Sequence, residues 1–190
     1  MEWSKVGLNF SFDIDGVISE YPGYFLEFAK EKFGELFFSI EEIKLNIGEE
    51  KYSELKHNYR VSEFKYRIPI ESEIIDLSHE VYRSGSRIFV HSSRPFHAYS
   101  EMMGRTTQWL KSSGFRFEAV HSKTVVELQG NFIDVHIDDE ELEINRLITE
   151  GLTGVKFCLF SRQLYSKSFN NKSDSTDSLS KYFKQNFGIG

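Results

Sequence analysis

Two carboxylates separated by one residue, Asp13 and Asp15, follow directly on the apolar run Val6–Phe12, in the segment Phe12-Asp13-Ile14-Asp15-Gly16-Val17. A buried strand ending in two acids places charge where burial is costly unless a cation or hydrogen-bond donors neutralise it. Other chemistry-bearing groups stand after other apolar runs. Ser92, Ser93 and Arg94 follow Ile88-Phe89-Val90, Lys123 follows Phe117–Val120, and Asp138-Asp139 end Phe132–Ile137. Phosphoryl transfer needs a nucleophile, a group that moves a proton, and cations and donors that hold the phosphate oxygens. These residues supply each part, and an all-oxygen acidic cluster favours Mg²⁺. Taken singly, each also has a structural reading. DxDG occurs in surface turns and calcium loops, Ser92 fits a helix N-cap, Lys123 fits a solvated face, and Asp138-Asp139 fit a cap for the next helix.

The surrounding elements decide between these readings. Apolar runs at Val6–Phe12, Ile88–Val90, Phe117–Val120, Phe132–Ile137 and Val155–Phe160 read as buried strands. Between them lie helical patterns at Glu71–Arg83, Tyr99–Lys111 (core positions Met103, Trp109, Leu110), Lys123–Leu128 and Glu140–Thr149. Strands alternating with helices predict a parallel sheet with helices on both faces, and ligands on such sheets bind at the carboxyl ends of the strands. That architecture gathers groups spread over more than half the chain at one edge.

Tyr24–Phe33 carries apolar residues at helical spacing (Phe25, Phe28, Ala29, Phe33) after the turn Pro22-Gly23, and Ile40–Asn46 and Glu49–Tyr59 also read as helices. Residues 20–68 therefore form a helical insertion, with residues 1–19 and 69–165 as the core. Residues 166–190 read as a tail, in which Ser166–Ser180 is a flexible Ser/Asn/Asp/Lys-rich segment and Lys181–Phe187 a short helix.

Composition narrows the classes. The chain has 190 residues with 39 % apolar and 15 % aromatic content, which suits one packed domain. A net charge of −6 argues against binding long nucleic acid. The lone cysteine, Cys158, excludes an intrachain disulfide and sits in an apolar strand. No secretory pattern opens the sequence and no apolar run reaches membrane-span length, so a soluble cytoplasmic protein is expected. His91, His97, His121 and His136 lack zinc-ligand spacing and read as lining or packing residues.

Asp13-Ile14-Asp15-Gly16, Val90-His91-Ser92, Lys123 and Ile137-Asp138-Asp139 together resemble the four motifs of the haloacid dehalogenase-like (HAD) hydrolase superfamily, in the family's order. The resemblance covers roughly residues 6–160 and implies a Rossmann-like α/β core with a small helical cap inserted between motifs one and two. It implies that Asp13 is the nucleophile and Asp15 the general acid/base. Ser92, Ser93, Lys123 and Arg94 would hold the phosphate, although Arg94 fits a structural ion pair equally well. Mg²⁺ would be held by Asp13, the Asp15 carbonyl and Asp139, with Asp138 close behind. Ser122-Lys123-Thr124-Val125-Val126 and Thr106–Leu110 are similar to the 5'(3')-deoxyribonucleotidase branch. That likeness implies a nucleoside monophosphate substrate, with Tyr21 and Tyr24 able to stack on its base or simply to pack the cap.

Three other readings stay open. These are a phosphatase of another small metabolite such as a sugar phosphate, one acting on polynucleotide ends, and a silent binding module. Asp15 argues against a dehalogenase, which needs no acid there. The expected partner is a small phosphorylated molecule; the sequence leaves monomer and homodimer open.

Overall fold

The computed structural model of the chain describes residues 7–160 and 176–189. Five strands, β1 (Asn9–Phe12), β2 (Arg87–Ser92), β3 (Val120–Ser122), β4 (Val135–Asp138) and β5 (Lys156–Leu159), form one sheet in the order β3-β2-β1-β4-β5. Every pairing is parallel, with Phe12 opposite Val90 and Ile137 in the central register. The strand order reverses at β1, and the crevice at such a switch point is where open α/β sheets bind ligands.

Side chains alternate between the faces of a strand, so the sheet has two different sides. Phe10, Phe12, Ile88, Val90, Val135 and Ile137 join the main core with α3 (Ser72–Arg83), α4 (Met102–Ser112) and α7 (Thr176–Phe187). The opposite face holds a smaller apolar cluster, Phe89, Leu128, Ile133, Leu147 and Leu152, beneath α5 (Val125–Gly130) and α6 (Glu141–Thr149). On that same face stand the polar side chains Ser11, His91 and His136, all fully buried.

Between β1 and β2 come α1 (Gly23–Phe33), α2 (Ile40–Val61) and a 3₁₀ turn (Phe64–Tyr66). They bury their own aromatic cluster, in which Phe25 packs edge-on against Tyr59 at 5.2 Å and Phe28 lies 5.5 Å from Phe64. Helix α2 starts at Ser39, whose hydroxyl accepts from Glu42 N–H, and it breaks at Gly48, where φ is +80°. This break separates the two helical stretches expected from sequence, because only glycine enters that conformation cheaply. No helix among the described residues is long and apolar enough to cross a membrane.

Several expectations need correction. The third strand is Val120–Ser122 rather than Phe117–Val120. Phe117 packs on Phe115 before the strand begins, while the polar His121 and Ser122 complete it. Met103 and Phe33 are half-exposed, and Met102 takes the core position in α4. Residues 176–180 belong to α7 rather than to a flexible segment, and residues 166–175 lie outside the described residues. The apolar spacing Leu179, Phe183, Phe187 drives this docking, with Phe183 stacked on Phe10 at 4.9 Å.

Removing that anchor leaves a cavity the sheet cannot close. Phe183→Ala is expected to lower the free energy of unfolding by about 3–5 kcal/mol, read by urea denaturation. A change below about 1 kcal/mol would show that α7 does not complete the core.

Candidate active site

The carboxyl ends of the strands meet around Asp13. Its N–H extends the β1–β4 ladder by donating to Ile137 O at 2.9 Å, so the residue is fixed by sheet geometry. Ser92 ends β2, and its carbonyl accepts from Lys123 N–H at 2.9 Å. The Lys123 ammonium donates to Asp138 Oδ2 at 2.6 Å and lies 3.1 Å from Asp13 Oδ1. Lys123 therefore bridges the two carboxylates, with the shorter contact to Asp138. Asp13, Lys123 and Asp138 are all buried.

Both oxygens of Asp138 are engaged. Oδ1 accepts from Glu140 N–H at 3.0 Å, at the start of α6, and Oδ2 accepts from Lys123 and from His136 Nε2 at 3.0 Å. Burial would raise its pKa, but the His136 hydrogen bond and Lys123 outweigh burial and hold it below the carboxylate norm. Asp139 is the opposite case. Its Oδ1 is buried without a hydrogen-bond partner, and burial plus the charges of Asp13 and Asp138 push its pKa up to about 8. Burial likewise raises Asp13 to about 7, with Lys123 opposing and Asp138 and Asp15 adding.

Ligand atoms of Asp13, Asp138 and Asp139 lie within 4.8 Å of one another. Gly16 makes room for this. A Cβ there would fall 1.8 Å from Asp139 Oδ2, and φ is +96°. Two acids that would otherwise hold protons near neutrality, one with an orphaned oxygen, fit a hard divalent cation. Asp139 brings the oxygen without a partner, while Asp13 and Asp138, both paired with Lys123, complete the group of three.

Asp15 sits across the cleft in a clamp. Arg94 Nε donates to Oδ2 at 2.9 Å and Nη2 to Oδ1 at 2.6 Å, while Lys65 Nζ approaches Oδ2 at 3.9 Å. Burial raises the Asp15 pKa, but Arg94 and Lys65 overcome it and keep the group ionised. Of the two roles weighed for Arg94, the structure therefore shows the ion pair. Its remaining Nη1 donates to Thr106 Oγ1 at 3.3 Å. Ser92 Oγ accepts from Arg94 N–H at 3.3 Å, which leaves its own proton for a ligand. Ser93 is exposed at the cleft and donates to Glu143 Oε2 at 3.2 Å.

A cleft of ≈ 190 Å³ opens over Asp13, Asp15, Ser92, Ser93, Arg94 and Lys123. Its other wall comes from the helices after β1, with Tyr21, Phe25, Lys56, Tyr59, Arg60 and Lys65. Tyr24 does not line it; that side chain packs on Phe64 at 6.2 Å and on the main core. Sequence reasoning missed Lys56, Tyr59, Arg60 and Lys65. The i, i+4 spacing of Lys56 and Arg60 beside buried Tyr52, Leu55 and Tyr59 was the available signal.

Behind Asp13 runs a buried polar chain that sequence reasoning also missed. Asn131 Nδ2 lies 3.2 Å from His91 Nε2, and His91 Nδ1 lies 2.9 Å from Ser11 Oγ. Ser11 Oγ lies 2.7 Å from His136 Nδ1, whose Nε2 meets Asp138. Each partner has one proton to give, so the roles are fixed from the ends inward. His136 Nε2–H donates to Asp138, Ser11 O–H to His136 Nδ1, His91 Nδ1–H to Ser11, and Asn131 N–H to His91 Nε2. Both imidazoles are therefore neutral. Burial depresses both, His91 to about 3 with help from His136 and His121. His121 stacks on His91 at 5.2 Å and pairs with Glu127, and His97 is exposed. None of the four assembles a zinc site among the described residues. A serine inside the apolar strand Asn9–Phe12 was the readable hint.

No family model and no curated protein sequence matches the chain. Solved structures share its fold. A predicted phosphatase from Clostridium acetobutylicum superimposes with a TM-score of 0.66 at 16 % identity, covering 95 % of this chain and 99 % of that one. A HAD family hydrolase from Deinococcus radiodurans R1, with bound phosphate and sodium, gives 0.64 at 8 % identity over 96 % and 97 %. A HAD-superfamily hydrolase of subfamily IA from Geobacter sulfurreducens PCA gives 0.59 at 15 % identity over 91 % and 94 %. The chain thus has the Rossmann-like α/β fold of HAD-superfamily hydrolases.

The neutral state of His91 has a pH signature. Between about pH 6.5, where an unfolded histidine titrates, and about 3, the unfolded chain binds a proton that folded His91 does not. Stability attributable to this group falls as pH falls through that window, by up to about 1.4 kcal/mol per pH unit. His91→Asn, which keeps an acceptor or donor near Ser11, is expected to flatten the pH dependence of urea midpoints there. An unchanged slope would mean that His91 is charged when folded.

Proposed function

We propose that the chain is a Mg²⁺-dependent phosphomonoester hydrolase in which Asp13 becomes transiently phosphorylated. The observation that carries this reading is the convergence of Asp13, Ser92 and Lys123 on one cleft, with Asp139 and its orphaned oxygen beside them.

Asp13 attacks phosphorus as the ester P–O bond breaks, and the leaving oxygen takes a proton from Asp15. Water then attacks the aspartyl-phosphate, passes a proton to Asp15, and releases inorganic phosphate and free Asp13. Lys123 and the Ser92 hydroxyl hold phosphoryl oxygens. Asp13 and Asp139, with the Asp15 carbonyl, would hold the cation, which would neutralise charge on the phosphate. The Arg94 clamp stores Asp15 as a carboxylate, which suits the base step. The acid step requires Asp15 to gain a proton and loosen from Arg94, so substrate entry must disturb that pair.

Residues 20–68 act as a cap, because their helices supply one wall of the cleft and would shield the intermediate from bulk water. For the substrate, the partly exposed ring of Tyr21 on the helical wall supports a nucleoside monophosphate, with a ring to face a base. The small cleft volume supports a sugar phosphate as the second reading.

Purified protein is expected to hydrolyse p-nitrophenyl phosphate with Mg²⁺ and to stop in excess EDTA. Asp13→Asn should lower kcat by about a thousandfold or more, as loss of a covalent nucleophile does. Retained turnover in that variant would refute Asp13 as nucleophile. A phosphomonoester panel should rank deoxynucleoside monophosphates first; faster turnover of hexose monophosphates would select the sugar reading and leave the mechanism standing.

A further inference from the structure

The two walls of the cleft differ in how their charges are satisfied. On the sheet side, Lys123 is taken up by Asp13 and Asp138, and Arg94 by Asp15. On the helical side, Lys56, Arg60 and Lys65 reach the cleft; each lies near a ring, and of the three only Lys65 also approaches an acid, Asp15. Lys56 Nζ lies 5.6 Å from the Tyr52 ring centre, the Arg60 guanidinium 5.9 Å from Tyr99, and Lys65 Nζ 5.3 Å from Tyr59. Neither Lys56 nor Arg60 has an ion-pair partner among the described residues. Lys65 is 6 % exposed, and the carboxylate nearest to it, Asp15 at 3.9 Å, already accepts two hydrogen bonds from Arg94.

This is an unusual concentration of charge. The chain has 29 acidic residues against 23 basic ones, yet five cations line this cleft and only Asp13, Asp15 and Glu140 oppose them. A lysine buried without a hydrogen-bonded counter-ion costs stability that a bound anion would recover. Lys56 and Arg60 stand one turn apart on α2, and Lys65 follows on the 3₁₀ turn that packs against it. The transferred phosphoryl group belongs at Asp13, Ser92 and Lys123, on the opposite wall. Lys56 and Arg60 are therefore surplus to that group, and Lys65 is only loosely engaged by Asp15. A guanidinium fork with two ammonium groups suits a dianionic oxyanion better than a single carboxylate.

We propose that Lys56, Arg60 and Lys65 form a subsite for a second phosphate, so that the substrate cleaved at Asp13 is a small bisphosphorylated molecule. The proposal rests on the phosphatase reading of Asp13 and narrows it. The second phosphate anchors one end of the substrate on α2 while the other end meets the nucleophile.

The test compares matched pairs: a fructose monophosphate with fructose bisphosphate, and deoxyadenosine monophosphate with deoxyadenosine bisphosphate, with phosphoglycerate as the carboxylate-bearing probe. In the wild type, kcat/KM on a bisphosphate should exceed that on its monophosphate by about tenfold or more, the worth of one charge-assisted contact. In the double variant Lys56→Gln/Arg60→Gln that ratio should fall toward one, and Lys56→Gln alone should move it part of the way. Calorimetric binding of both bisphosphates to Asp13→Asn, with and without the two glutamines, reads the subsite without turnover. The glutamines should weaken it about tenfold or more. If no ester is hydrolysed but this binding difference holds, the phosphatase reading fails and the anion subsite stands. Equal turnover of mono- and bisphosphates, a ratio untouched by the glutamines, or a preference for phosphoglycerate would overturn the subsite.

Discussion

Lys123 between Asp13 and Asp138 is the contact on which the site depends. One ammonium, buried at a sheet edge, is shared by two buried carboxylates. Burying three ionised groups is costly, and removing any one of them would leave uncompensated charge in a dry environment. The cost is contained because Asp138 is saturated by His136 and Glu140 N–H, so Lys123 is held from behind and Asp13 is left underused. Ser92 lines the same cleft as Asp13, and Asp139 lies beside it.

The parallel sheet makes this arrangement possible. Strand order reverses at β1, so the loops after β2 and β4 open to either side of Asp13 and leave a crevice. The two faces divide the labour. One is dry and aromatic, joining Phe10 and Phe12 to α3, α4 and α7. The other carries Ser11, His91 and His136 at alternate positions, so the period of the strand that builds the core also lays a polar line toward Asp138.

Much of this was legible in the sequence. Short apolar runs ending in charged or hydroxyl residues marked the strand ends. Because parallel strands all point one way, those ends had to meet, which placed Asp13, Ser92, Lys123 and Asp139 together without any contact information. What stayed hidden depended on who faces whom. Arg94 could equally reach a phosphate or a carboxylate; only the fold shows Asp15 within its fork. Tyr21 and Tyr24 are alike in sequence, yet one lines the cleft and the other turns into the core, because the turn into α1 sets their directions. Lys56 and Arg60 looked like ordinary solvent-facing charges until the fold placed them on the cleft opposite Asp13. The third strand was misplaced because two of its three residues are polar, and hydropathy alone does not mark such an edge.

The line from Asn131 through His91, Ser11 and His136 has a single polarity. Every N–H and O–H along it points the same way, so the bond dipoles add and present their positive end to Asp138. Reversing one proton would force its neighbours to reverse as well, leaving Asp138 facing a lone pair. The array therefore works as a short electrical bias built from neutral groups. It steadies a negative charge at the back of the site without adding a formal positive one.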